Sequence, residues 1–328
     1  MTPAEAAALA REAQRVWGGT GAPKLLKLRE NAVYAVNLPE TGRAVLRLHR
    51  RGYQSEAAIR SELWWMTALA DHGLAVPRPL VTPDGAPLAH LADGRIASML
   101  AWVEGAPVGE AGLPLPGDGA AQMRLHASIG HALAELHILT DRLKLPPWFQ
   151  RPRWDGEGLV GPAPFWGRFW EHPAATPAER GLLSQARDAA RERLADYAAQ
   201  GADQGLIHAD VLRENVLLAG HGVALIDFDD CGFGFRLYDL GTALSQSLAE
   251  PLLPDILTGL VEGYATERPL SAADRAMLPW FTGLRCFASV GWTMPRLAAD
   301  DPLHRRHLDR ALRAAELLLA GGDLFAAP

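Results

Sequence analysis

From Lys24 to Gly105 the apolar residues come in short runs: Leu25 to Leu28, Val33 to Leu38 and Ala44 to His49. Glu30-Asn31 and Pro39-Glu-Thr-Gly42 interrupt them, and such runs between turn formers predict a three-stranded antiparallel meander. The period then changes. Ser55 can cap a helix in which Ile59, Leu63, Met66 and Leu69 recur at helical spacing before Gly73 ends it. Val76 to Leu80 reads as extended, Pro83-Asp-Gly85 as a turn, and Ile96 to Val103 as another strand. Beyond Gly105 the pattern is mainly helical: Met123 to Leu139, Pro177 to Ala199, Tyr238 to Leu248, Leu252 to Thr266, Ala272 to Val290 and Pro302 to Leu319.

The helical region is broken by three short apolar runs, Leu206-Ile207, Val216 to Leu218 and Val223 to Ile226, with Gly220 and Gly222 between the last two. They read as buried strands, the last two joined by a tight turn. Asp210 and Asn215 stand five positions apart on the polar loop after the first run, and Asp227 closes the third. Three chain segments thereby bring a carboxylate, an amide and a second carboxylate toward one point.

Those residue types match the needs of phosphoryl transfer, which depends on in-line positioning, metal ions that bridge phosphates, and a carboxylate to receive the acceptor's proton. Mg²⁺ prefers oxygen ligands and binds through one or two protein groups together with phosphate oxygens and water, which suits Asn215 and Asp227. Asp210 then has the role of base toward a substrate hydroxyl. His208 is expected to brace the loop through hydrogen bonds. Arg213, three positions after the base, either lies near the transferring phosphoryl or is a surface loop residue. A bare His-x-Asp-x-x-x-x-Asn string arises easily by chance, and the conjunction with an Asp-ended strand and then Tyr238-Asp239-Leu240 is what favours the functional reading.

Length and charge narrow the setting. A chain of 328 residues can build one large domain or two lobes with adequate cores. The net charge of −6 and the scattered basic residues give no nucleic-acid footprint and favour a cationic acceptor. Cys231 and Cys286 form no disulfide framework and no zinc spacing, so a reducing cytoplasm is the expected location. Thr2 to Trp17 carries Glu5, Arg11, Glu12 and Arg15 among its alanines, which predicts an amphipathic helix rather than a signal peptide. No apolar run reaches membrane-spanning length, so no membrane association is expected.

The segment from Leu206 to Leu240 resembles the aminoglycoside phosphotransferase and choline kinase-like group, particularly its bacterial homoserine kinase-like and stress-response-kinase-like members. The resemblance implies an α+β, two-lobed protein-kinase-like fold. Residues 1–105 would form a small antiparallel nucleotide-binding lobe with one main helix, and 106–328 a larger, mainly helical catalytic lobe. It implies ATP and Mg²⁺ as cofactors, Asp210 as base, Asn215 and Asp227 as metal ligands, and Asp239 as the residue that steadies the catalytic loop. Arg47 stands where the family has a phosphate-binding Lys, and Glu62 matches the Glu that holds that cation. The chain has only three lysines, Lys24, Lys27 and Lys144, none on this strand. Arg is not a simple substitute, since its guanidinium is larger and forks its donors. The bland alternative for the pair is a surface arginine and a solvent-facing glutamate.

No glycine-rich loop covers the phosphates; Arg29-Glu30-Asn31 occupies that turn, with Asn31 the candidate phosphate contact. Met99 to Gly105 resembles the hinge, in which Ala101 and Val103 would offer backbone groups to the adenine edge. Asp229 and Asp230 hold either a second ion, a cationic acceptor or a solvated turn. His126, His131 and His137 read as structural or solvated. Trp148, Phe149, Trp154, Phe165, Trp166, Phe169 and Trp170 fall in a Pro- and Gly-rich insertion between Arg142 and His172, either as packing or as an acceptor wall. Asp239 comes twelve positions after Asp227, which leaves little room for a peptide-seating segment and favours a small hydroxyl-bearing acceptor. A protein Ser/Thr kinase of the stress-response type and a nucleotide-binding module without catalysis are the alternatives.

Overall fold

The structure is a computed structural model and describes residues 2–28, 31–220 and 222–326. Arg29 and Glu30 of the expected first turn lie outside the described residues. The chain divides into two compact units. The smaller comprises Met1–Gly105, Leu143–Arg151 and Ala224–Asp229, and the larger comprises Ala106–Arg142, Pro152–Val223 and Asp230–Pro328. The first division falls at Gly105, and two later segments return to the smaller unit, which no sequence pattern had suggested.

The smaller unit begins with α1 (Pro3–Val16), started by a capping box in which Thr2 and Glu5 satisfy each other's backbone donors. Strands β1 (Thr20–Leu28), β2 (Ala32–Leu38) and β3 (Gly42–Leu48) form the meander. Helix α2 (Glu56–Asp71) follows, with Ser55 Oγ accepting from Ala58 N at 3.1 Å. Strands β4 (Pro79–Leu80), β5 (Ala89–His90) and β6 (Ile96–Ala101) complete an antiparallel sheet of order β1-β2-β3-β6-β4, with β5 on β6. Ala6, Ala10 and Ala13 of α1 are fully buried against Tyr34, Val36, Leu46 and Met99, their small side chains allowing helix and sheet to approach closely. The run Leu25-Leu26 departs from a core reading: both are about 40 % exposed, because β1 is an edge strand. Segment 224–229 is held here by Leu225 N donating to Ala75 O at 3.0 Å and by Phe228 packing edge-on to Trp65.

The larger unit contains β7 (Ala106–Pro107), α3 (Gly119–Arg142), β8 (Arg153–Trp154), α4 (Gly156–Val160), α5 (Pro177–Ala199), β9 (Gln204–Ile207) and β10 (Val216–Ala219). Along β11 (Gly222–Leu225) the chain passes into the smaller unit and returns before β12 (Gly232–Phe235). Helices α6 (Leu237–Ser245), α7 (Leu253–Ala265), α8 (Ala272–Thr293) and α9 (Leu303–Leu319) close the unit. The three apolar runs do not build one sheet: β9 pairs with β12, which also pairs with β8, whereas β10 pairs with β7. Two-residue strands and the glycine-rich β12 carry no period that could announce them. No helix among the described residues is long and apolar enough to cross a membrane.

Two helix crossings set the site. An added Cβ at Gly130 of α3 would lie 2.2 Å from Leu260 O of α7, and one at Gly241 of α6 would lie 2.6 Å from the Phe281 carbonyl carbon of α8. Only a hydrogen in place of a side chain permits these backbone contacts. Gly241→Val is expected to destabilise the protein by about 1–3 kcal/mol through overpacking. An unchanged urea midpoint would contradict that contact.

Candidate active site

In the larger unit the site is assembled around Asp239, whose side chain is fully buried at the start of α6. Its Oδ2 accepts from His208 N at 2.8 Å and its Oδ1 from Ala209 N at 2.6 Å. Ala209 has φ +66°, a left-handed conformation that costs a non-glycine residue on the order of 1–2 kcal/mol. The two amide bonds to one carboxylate hold the chain in that conformation. Burial pushes the Asp239 carboxyl up, but hydrogen bonding from His137, the charges of His137 and His208 and the His208 amide outweigh it, leaving it below its ordinary value.

His137, on α3, lies 3.1 Å from Asp239 Oδ2 through Nε2 and 2.9 Å from Tyr264 OH through Nδ1. Three helices therefore meet through one imidazole. Burial lowers its pKa to about 4, in spite of the nearby carboxylate.

The loop that Asp239 holds carries Asp210. Both carboxylate oxygens of Asp210 have donors: Asn215 Nδ2 at 2.8 Å on Oδ2, and Arg285 Nη2 at 2.7 Å on Oδ1. Asn215 Nδ2 also donates to Asp210 O at 2.9 Å, which turns the amide so that its Oδ1 is left as an acceptor. Asp210 N donates to His208 Nδ1 at 3.3 Å, so the side chain of His208 is part of the loop's bracing.

Arg213 is not on the surface. It is 4 % exposed, and its guanidinium donates to Leu113 O at 3.0 Å and Ser247 Oγ at 2.9 Å while pairing with Glu250 at 2.9 Å. It lies at the start of the short helical turn Arg213–Asn215. The cation at Asp210 is instead Arg285, on α8. It is 4 % exposed, its Nη1 donates to Ser289 Oγ at 2.8 Å, and its guanidinium carbon lies 4.6 Å from the Trp166 ring centroid. Sequence reasoning missed it. The available signal was that Arg285 is the single charged residue between Met277 and Thr293.

In the smaller unit, Arg47 lies on β3 between Val33 of β2 and Ser98 of β6. Its Nη2 contacts Glu62 Oε1 at 2.6 Å, and both side chains are at most 5 % exposed. The surface alternative is thus excluded. Burial would lower the Arg47 pKa, but the charges of Glu62, Asp229 and Asp227 raise it further, so the cation is secure. Arg47 Nη1 is buried without a hydrogen-bond partner among the described residues. Arg151, which the sequence did not single out, adds a second buried cation 4.0 Å from Glu62 Oε2, donating to Ala58 O at 3.0 Å and to Asp229 O.

Asp229 is 7 % exposed and is no solvated turn residue. Burial and the charge of Glu62 push its carboxyl up to about 7, against the pull of Arg47. Asp227 has φ +66°, a second left-handed non-glycine residue. Asn31 Oδ1 accepts from Arg50 N at 2.9 Å, so its carbonyl is engaged within the turn. Ala101 N donates to Arg78 O at 2.7 Å, which removes it as a donor to a base; the short strand β4 alongside β6 is the reason. Val103 follows the end of that strand.

The aromatic insertion is divided between the units. Trp148 and Phe149 set their rings edge-on to Trp64 in the smaller one. In the larger one, Trp154 stacks on Tyr238 at 5.5 Å and Phe169 on Phe287 at 5.2 Å, and both are 1 % exposed. These rings pack the insertion onto α6 and α8.

The fold and the two clusters define a protein-kinase-like phosphotransferase. The model of the phosphotransferase enzyme family matches residues 24–279, and the chain belongs to that family. It is an ATP-dependent kinase, a phosphotransferase with an alcohol group as acceptor. Amicoumacin kinase of Bacillus subtilis is 25% identical over 288 residues, 84% of this chain and 81% of that protein. A homoserine kinase of Rhizobium etli is 30% identical over 257 residues, 74% of this chain and 73% of its own length. Among solved structures, that of a microcompartment-associated aminopropanol kinase matches with a TM-score of 0.83 at 30% identity, covering 97% of this chain and 99% of that one.

His137 and His172 must be neutral to remain buried, and burial lowers both to about 4 from 6.5. Between those values the unfolded chain binds more protons than the folded one. The stability they contribute is complete above about 6.5 and is lost as pH falls toward 4. Urea midpoints are expected to decline steadily over that window; a flat profile would contradict the neutral buried pair.

Proposed function

We propose that this kinase transfers the γ-phosphoryl group of ATP to the hydroxyl of a small amino alcohol, with Asp210 as catalytic base. The observation that carries the reading is the state of Asp210. Its carboxylate is held by donors on both oxygens, each of which retains a lone pair, on a loop whose backbone is fixed by Asp239. A carboxylate so held is aimed, which a base toward an alcohol requires. The acceptor O–H bond breaks with its proton passing to Asp210, while the oxygen forms a bond to the γ-phosphorus. The bond from that phosphorus to the β,γ-bridging oxygen breaks, and ADP leaves.

Mg²⁺ fits the residues present. Asn215 Oδ1 is left as a hard oxygen donor by the bonds its Nδ2 makes, and Asp227 supplies a carboxylate; we assign both as the metal's protein ligands. When bound, the ion would neutralise charge on the phosphate oxygens. Among the described residues no three His, Cys, Asp or Glu side chains group as a metal site. That suits an ion held mainly by nucleotide oxygens and water.

For the nucleotide we assign Arg47, steadied by Glu62, with the unpartnered Nη1 as donor to a phosphate oxygen. Val103 is the backbone candidate for the adenine edge, and the side-chain amide of Asn31 is the candidate for a phosphate. Arg213 is not retained as a catalytic group. The amino alcohol is supported by the name of the aminopropanol kinase, matched over nearly the whole chain at 30% identity, and by the acidic balance of −6. Use of ATP supports a cytoplasmic location.

Asp210→Asn is expected to keep ATP affinity and lose on the order of 10²- to 10⁴-fold in kcat, the usual contribution of a general base. Turnover at the wild-type rate would refute the mechanism. Asp227→Asn is expected to weaken Mg²⁺–ATP binding as well, read by calorimetry with and without the metal. In a coupled assay over amino alcohols, hydroxy amino acids and uncharged alcohols, the amino alcohols are expected to give the highest kcat/KM. A preference for uncharged alcohols would overturn that acceptor class.

A further inference from the structure

We propose that Arg285 is the positioning residue of Asp210 and that the Trp166 ring holds Arg285 in place for that purpose. The inference rests on the reading of Asp210 as base. A carboxylate on a short stem turns easily, because its terminal torsion has a broad, twofold profile. Asn215 restrains one oxygen at 2.8 Å. The Arg285 contact of 2.7 Å to the other oxygen removes this freedom and sets the direction of the remaining lone pairs.

Arg285 is itself restrained on three sides. Nη2 is on Asp210, Nη1 is 2.8 Å from Ser289 Oγ one helical turn on, and the guanidinium lies against the Trp166 ring at 4.6 Å. Ser289 Oγ in turn donates to Arg285 O at 2.8 Å, so the hydroxyl is oriented to accept. A planar, forked cation can meet all three demands together, and an ammonium cannot. Trp166 is 5 % exposed and edge-on to Trp154, which donates through Nε1 to Asp230 O at 2.8 Å. The 152–172 part of the insertion thereby acquires a role beyond filling space. It presents a ring face to the arginine that aligns the base.

Steady-state kinetics of the full chain test this with Arg285→Met, Arg285→Lys, Trp166→Leu, Asp210→Asn and the double variant Asp210→Asn/Arg285→Met. Arg285→Met is expected to lower kcat by on the order of 10²-fold, the effect of a misplaced catalytic group, with KM for ATP unchanged. Arg285→Lys should recover part of that loss, and Trp166→Leu should lower kcat by less than Arg285→Met does. Because Arg285 acts through the carboxylate, adding Arg285→Met to Asp210→Asn should cause no further loss. An unchanged kcat in Arg285→Met overturns the proposal. So does a double variant in which the two losses multiply, since Arg285 would then act independently of Asp210. Should Arg285→Met not fold, the same cycle with Arg285→Lys decides the matter by the same criterion. Failure of the base reading is visible separately, as wild-type turnover in Asp210→Asn alone.

Discussion

The fully buried Asp239 carboxylate is the constraint from which the rest of the larger unit's site follows. Its two oxygens are bonded to the amides of His208 and Ala209, and the imidazole of His137 stands beside one of them. A buried carboxylate is tolerable only with such partners, and removing any of them leaves a charge in a medium that solvates it poorly. The loop therefore has one low-energy course past α6, and Ala209 takes up a left-handed conformation to follow it. Asp210 is the next residue. Its backbone position is set by the carboxylate twelve residues past Asp227, and its side chain by Asn215 and Arg285.

The smaller unit meets an analogous demand with a different arrangement. Arg47 in place of the expected lysine is accommodated because the cluster around it is rich in carboxylates: Glu62, Asp229 and Asp227 all favour the charged guanidinium. With Arg151 also present, two cations face the carboxylates of a largely buried network. One guanidinium nitrogen of Arg47 has no hydrogen-bond partner among the described residues, and Asp229 is driven toward its neutral form. A bidentate, permanently charged group supports such a network better than a single ammonium would. The departure from the family pattern is thus a local rearrangement of charge rather than a loss of the cation.

Much of the fold was legible in residue patterns. The meander, the Ser55-capped helix and the long C-terminal helices are announced by period, because burial of one face imposes it on the sequence. The motif from His208 to Asp239 was legible for another reason: its residues are close in the chain and their chemistry is specific. Arg285 was not, since it lies 75 residues beyond Asp210 and meets it only through the crossing of α6 and α8. Arg151 belongs to the same class. The burial of Arg213 was not legible either, because proximity in sequence to Asp210 says nothing of where a long side chain turns. That the Ala101 amide is taken by Arg78 O was not legible, because β4 is too short to leave a pattern.

Sequence alone determined the class of chemistry, the carboxylates and amide proposed for it, and the longer strands and helices. These depend on local spacing and on the hydrophobic period, both of which are written in neighbouring residues. Only the tertiary structure decided which cation each carboxylate meets. Asp210 is paired with Arg285 and not Arg213, Glu62 with both Arg47 and Arg151, and Asp239 with the amides that fix the loop. Charge pairing acts through space over a few ångströms, and the chain brings those ångströms together only by folding.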